Sequence, residues 1–88
     1  MYSIRLLNDA TRELERLDKP VANRIVRKLR WLAQNLDSIN PESLKGGLAG
    51  LYKLREGDYR IAYQVLRSEN TIVIHLIGHR RDVYKTKG

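Results

Sequence analysis

A chain of 88 residues with a formal charge of +7 and no cysteine is long enough for one core and too short for two, so a separate catalytic domain is excluded. The missing cysteines exclude a disulfide framework and any thiolate metal site, which fits a reducing compartment. The charge is uneven: residues 1–44 carry a net +2 and residues 45–88 a net +5, so a polyanion is the expected partner, nucleic acid first and an acidic protein second. The N-terminus reaches charge by Arg5 and lacks the apolar run of a signal peptide, and no segment approaches a membrane span. A soluble, cytoplasmic protein with no membrane contact is expected.

Tyr2 to Leu6 places Ile4 and Leu6 on one face and reads as a strand that ends at Asn8, a good helix N-cap. Ala10, Leu14 and Leu17 then follow at helical spacing, predicting a helix over Asp9 to Leu17. Asp18-Lys19-Pro20 breaks and restarts the chain, because proline suits a first helical turn. From Val21 through Ile25, Leu29, Leu32 and Leu36 one apolar stripe recurs at the 3.6 period, predicting a second helix to about Asn35. Its outer positions carry Arg24, Arg27, Lys28 and Arg30, a solvated helix surface or a docking face for ribosomal RNA; Trp31 flanks the stripe as a core-edge residue.

"DSINPESLKGGLAG" (residues 37–50) is the one long connection. Its glycines are not followed by Gly-Lys-Ser/Thr, so a phosphate-binding loop is not expected. "LYKLR" and "YRIAYQV" form a hairpin about Gly57-Asp58. A loop with an even number of residues unites Tyr52, Leu54, Ile61, Tyr63 and Val65 on one face. The same register sets Arg55 opposite Arg60 on the other face, near Lys53, although like charges directly opposite cost roughly 0.2–1 kcal/mol. After a turn at Ser68-Glu69-Asn70, "TIVIHLIG" is apolar on both faces, as in a strand buried on both faces or shielded at the sheet centre. The fold class is α+β, in the order β-α-α-β-β-β: a single domain over residues 1–88 with a helical hairpin packed on one face of a mainly antiparallel four-stranded sheet.

The open sheet face is therefore the candidate anion site, with "GHRRDVYK" bringing His79, Arg80, Arg81 and Tyr84 beside it. Arginine suits phosphate through its planar fork, and tyrosine can stack on an unpaired base. His75 and His79 stand about 13 Å apart on a strand, too far to share a metal, so no metal and no cofactor is expected. His75 reads as a structural histidine. His79 is either a proton donor or a neighbour of Arg80.

Taken in order, "LKGGLAGLYKLREGDYRIAYQV" and "VIHLIGHRRDVYK" resemble the RelE toxins of bacterial toxin–antitoxin systems, in the RelE/ParE superfamily, and the likeness covers essentially the whole chain. The resemblance implies a toxin that enters the ribosomal A site and cuts messenger RNA by attack of the 2′-hydroxyl on the adjacent phosphate, with Lys53, Arg60, Arg80 and Tyr84 at the catalytic positions. Lys45, Arg55, His79 and Arg81 are the accompanying RNA-binding candidates. Two positions depart from the family pattern: Leu51 stands where a second lysine can occur, and His79 where a lysine can occur. Lys53 is the candidate base, on the expectation that Arg55 and Arg60 crowd it with like charge. Arg60 and Arg80 are assigned to phosphate and Tyr84 to a base. The partners implied are the ribosome and its message, and a cognate acidic antitoxin in a hetero-oligomer. The other readings are a ParE-like gyrase inhibitor and a noncatalytic nucleic-acid-binding module.

Overall fold

The computed structural model describes residues 1–44 and 50–79. The strands are β1 (Ser3–Leu6), β2 (Glu42–Ser43), β3 (Tyr52–Glu56), β4 (Tyr59–Leu66) and β5 (Thr71–His79), and the helices are α1 (Asn8–Arg16) and α2 (Lys19–Asn35). They form one sheet in the order β1-β5-β4-β3-β2. All neighbours pair antiparallel except β1 and β5, which run parallel from Ser3↔Thr71 to Leu6↔Ile74. The α+β class and the helical hairpin are as expected, and β1 lies at the sheet edge beside β5.

The sheet has five strands rather than four. β2 is two residues long and both are exposed, and Pro41 precedes it, so no alternation marks it in the sequence. It pairs Glu42 with Lys53 and Ser43 with Tyr52, and the Leu44 N–H donates to the Leu51 carbonyl at 2.9 Å. Asn8 is the first residue of α1 rather than its cap; Leu7 holds the cap position and offers no side-chain hydrogen bond. Pro20 lies in the first turn of α2, where its missing N–H has no helical acceptor to lose.

Ile25, Leu29 and Leu32 of α2, and Leu36 just after it, meet Leu54, Ile61, Tyr63, Ile72, Ile74 and Ile77 of the sheet, with Ala10 from α1, in one buried cluster. The alternation along β5 contains an apparent conflict, because Ile72 and Ile74 share one parity and Ile77 the other. The register resolves it. Ala62 pairs with Leu76 but Tyr63 pairs with Ile74, leaving His75 as an extra residue on β5. Such a bulge flips the alternation beyond it, so Ile77 returns to the helix side and Val73 and Leu76 face away from it. The His75 side chain is satisfied by Gln64 across the strand, at 3.1 Å.

The parallel β1–β5 pair is clamped at one end by side chains. Tyr2 Oη donates to Asp37 Oδ1 at 2.8 Å and accepts from Arg67 Nη1 at 3.0 Å, and Asn70, with φ of 53°, donates to the Met1 carbonyl. The clamp links the start of the first strand to the turn after α2 and to the turn before β5.

Two outcomes test this core. Leu32 is fully buried, so Leu32→Ala should lower unfolding free energy by about 2–5 kcal/mol in a urea titration. Tyr63 is also fully buried, and burial pushes its phenol up to about 12, with the neighbouring Tyr52 adding to the shift. In the unfolded chain the phenol ionises near 10, so the unfolded state loses its proton first. Stability should therefore fall as pH rises from about 10 to 12, and Tyr63→Phe should flatten that fall when melts are compared across the window.

Candidate functional site

The site is built on the β3–β4 hairpin. Glu56 and Tyr59 close a two-residue loop in which Gly57 takes φ of +60°, a conformation glycine adopts without steric cost. The even loop gives the expected register: Leu54 pairs with Ile61 towards the helices, and Arg55 pairs with Arg60 on the other face. Lys53 shares that face, opposite Ala62.

Arg60 was expected to stand exposed, and it does not: only 6% of the residue is accessible. Its guanidinium turns back onto the hairpin, where Nη1 donates to the carbonyls of Gly57 and Tyr59, each at 3.0 Å. Those carbonyls supply the negative charge density that offsets the neighbouring Arg55, so the opposed arginines need not face each other as bare charges. Gly78 is the cross-strand partner of Arg60 on β5 and brings no side chain to compete for the space. Arg60 Nε is buried and has no acceptor among the described residues. A buried N–H in that state costs roughly 1–3 kcal/mol.

Lys53 is not surrounded by cations alone. Its Nζ lies 3.2 Å from Glu42 Oε2, across the β2–β3 pair that the sequence reading lacked. The like-charge crowding that singled out Lys53 as a base is therefore answered by a carboxylate. Nor is this face a uniformly solvated cationic surface: Ala62 is fully buried and Val73 nearly so, which agrees with a last strand covered on both sides.

His79 does not join the basic face. It pairs with Tyr59, and the two rings meet edge to face at 5.8 Å, on the side that Tyr59 shares with the core cluster. Unbroken alternation from Ile72 would have placed His79 with Arg60; the bulge at His75 moves it across the sheet. Lys45, Arg80, Arg81 and Tyr84 lie outside the described residues. Among the described residues, no three His, Asp or Glu side chains converge into a metal-binding group, and no helix is long and apolar enough to cross a membrane.

The arrangement thus offers a preorganised guanidinium whose Nε–H has no acceptor among the described residues, an exposed arginine on the adjoining strand, and a lysine held by a carboxylate. Guanidinium and ammonium groups gathered on one sheet face are the chemistry that suits a phosphodiester. Glu42 is the site neighbour that sequence reasoning missed, and its only signal was its opposite charge at the end of a loop.

Comparisons with known proteins bear on which chemistry this is. The chain is 30% identical over 87 residues to a putative RelE-like toxin protein of Escherichia coli, covering 94% of this chain and 90% of that one. It is 28% identical over 90 residues to toxin RelG of Mycobacterium tuberculosis, covering 96% and 97%. Among solved structures it is similar to a chain of the toxin–antitoxin complex RelBE2 from Mycobacterium tuberculosis, with a TM-score of 0.79, 28% identity and coverage of 90% and 98%. Residues 4–84 match the family model of the ParE toxin of type II toxin–antitoxin systems, parDE. The chain therefore belongs to this toxin family of the RelE/ParE superfamily, and its relatives mark it as a RelE-type toxin of a type II toxin–antitoxin system.

Proposed function

We propose that this toxin is a ribosome-dependent endoribonuclease that cuts messenger RNA in the A site. The observation that carries the reading is Arg60: a buried guanidinium fixed by two carbonyls, with Nε lacking an acceptor among the described residues, beside Arg55 and Lys53 on one sheet face. Such a group is positioned before substrate arrives, which is what stabilising charge in a transition state requires.

RNA carries its own nucleophile. The 2′-oxygen attacks the adjacent phosphorus while its proton is removed, the bond from phosphorus to the 5′-oxygen breaks, and that oxygen takes up a proton. The products are a 2′,3′-cyclic phosphate and a 5′-hydroxyl. Arg60 is assigned to the pentacovalent phosphate, with Arg80 beside it, and Tyr84 to orienting a base. Lys53 is assigned to the phosphate's charge rather than to proton removal, since Glu42 holds its amine. Arg55, Lys45 and Arg81 are assigned to the RNA backbone. A toxin of this kind acts in the cytoplasm and is held inactive by a cognate antitoxin; an acidic segment that folds on the basic face suits the charge of +7. The RelBE2 likeness, to a toxin–antitoxin complex, supports such a partner.

The match to the ParE family model favours a second reading, inhibition of DNA gyrase, and one experiment separates the two. Inducing the chain alone should stop translation and leave ribosome-bound messages cut with 5′-hydroxyl ends; DNA breaks with intact messages would establish the gyrase reading instead. In a ribosome-programmed assay, Arg60→Ala and Arg60→Lys should each slow cutting, the alanine variant by roughly 10²–10³. Arg60→Ala should also lower the melting temperature, because losing two charge-assisted hydrogen bonds outweighs the relieved repulsion from Arg55 together with the removal of the unpartnered Nε–H, for a net loss of about 2 kcal/mol. Lys53→Ala should slow cutting with a smaller effect on the melt. Normal cutting by all three variants, as folded proteins, would remove this face from the mechanism.

A further inference from the structure

The outward side of α2 holds a second site candidate, across the sheet from Arg60. Arg24, Arg27, Lys28, Trp31 and Glu56 line an open groove of about 370 Å³. The charges there differ from those on α1. On α1, Arg12 pairs with Asp9 and Arg16 with Glu13, whereas Arg24, Arg27 and Lys28 form no ion pair among the described residues. Lys28 Nζ instead lies 4.4 Å from the centre of the Trp31 ring, and Trp31 remains 40% exposed.

We infer that this groove binds the sugar-phosphate backbone of RNA, with an unpaired base stacked on Trp31. Successive α-helical positions three or four apart rise about 4.5–6 Å along one face, so Arg24, Arg27, Lys28 and Trp31 form a row of cations ending in a ring. Cations beside an aromatic platform are what a single-stranded nucleic acid engages. An acidic amphipathic helix is the other polyanion to consider, but such a helix lays its apolar anchors into a hydrophobic groove, and this groove is lined by Arg24, Arg27, Lys28 and Glu56 with Trp31 as its one apolar side chain. Of the α2 side chains, Ile25, Leu29 and Leu32 are consumed by the core, and Val21 packs against it. Trp31 is the one large apolar side chain of α2 left exposed. The inference does not depend on RNA cleavage.

Because Trp31 is the chain's sole tryptophan, its fluorescence reports this groove directly. Titrating the full chain with a short oligoadenylate should quench that fluorescence saturably. Replacing the three cations, as Arg24→Gln, Arg27→Gln and Lys28→Gln together, should weaken binding about tenfold or more. It should also reduce the slope of log affinity against log salt by about 2, from roughly 0.7 for each phosphate no longer neutralised. Arg24 and Arg27 are exposed, and the pair Arg24→Gln and Arg27→Gln serves if the triple variant melts early, with a slope change of about 1.4. The inference is overturned if oligoadenylate leaves the indole unquenched, or if quenching and salt slope survive the substitutions. It is equally overturned if polyglutamate quenches as strongly as RNA at matched charge, which would assign the groove to an acidic protein.

Discussion

The hairpin register between β3 and β4 is the constraint on which the rest of the molecule depends. A two-residue loop with Gly57 at positive φ fixes which residues oppose one another, and a slip by one would exchange every side chain between the faces. With the loop as it is, Leu54, Ile61 and Tyr63 meet the α2 stripe while Lys53, Arg55 and Arg60 point away from it. Core and candidate site are two sides of one pairing. The opposed Arg55 and Arg60 are tolerated because the same loop offers the carbonyls of Gly57 and Tyr59 to the Arg60 guanidinium, so the turn that creates the repulsion also relieves it.

The bulge at His75 plays the corresponding part on β5. It lets Ile72, Ile74 and Ile77 all enter the core despite their spacing, and it decides the company that His79 keeps. Arg60 then faces Gly78 across the strands rather than a side chain. A strand regular throughout would have exposed Ile77 or buried a different set. The bulge thus belongs to the packing of the core, and its effect on the site follows from that.

The two faces carry cations in different states. On the sheet side Arg60 is buried and bonded and Lys53 is held by Glu42, an arrangement suited to a fixed phosphate. On α2, Arg24, Arg27 and Lys28 have no carboxylate partner among the described residues and lie beside an exposed ring, an arrangement suited to a backbone that can approach in more than one way. Family membership rests on residues 4–84, and the contrast between these two faces lies in their geometry.

By itself the sequence determined whatever follows from period and from short loops. The helical stripe of α2, the alternation of β3 and β4, the two-residue turn and the Arg55–Arg60 pairing are all local, because backbone geometry dictates which side chains share a face a few residues apart. Only the tertiary structure decided the rest. β2 is too short to show a period, and it exists because β3 offers it an edge, which is how Glu42 reaches Lys53. The bulge at His75 appears only when Ile77 must share a core with Ile74, and it carries His79 to the other face. The burial of Arg60 required knowing where the turn carbonyls point. Each of these depends on partners distant in the chain or on backbone direction, and no pattern of residue types encodes either.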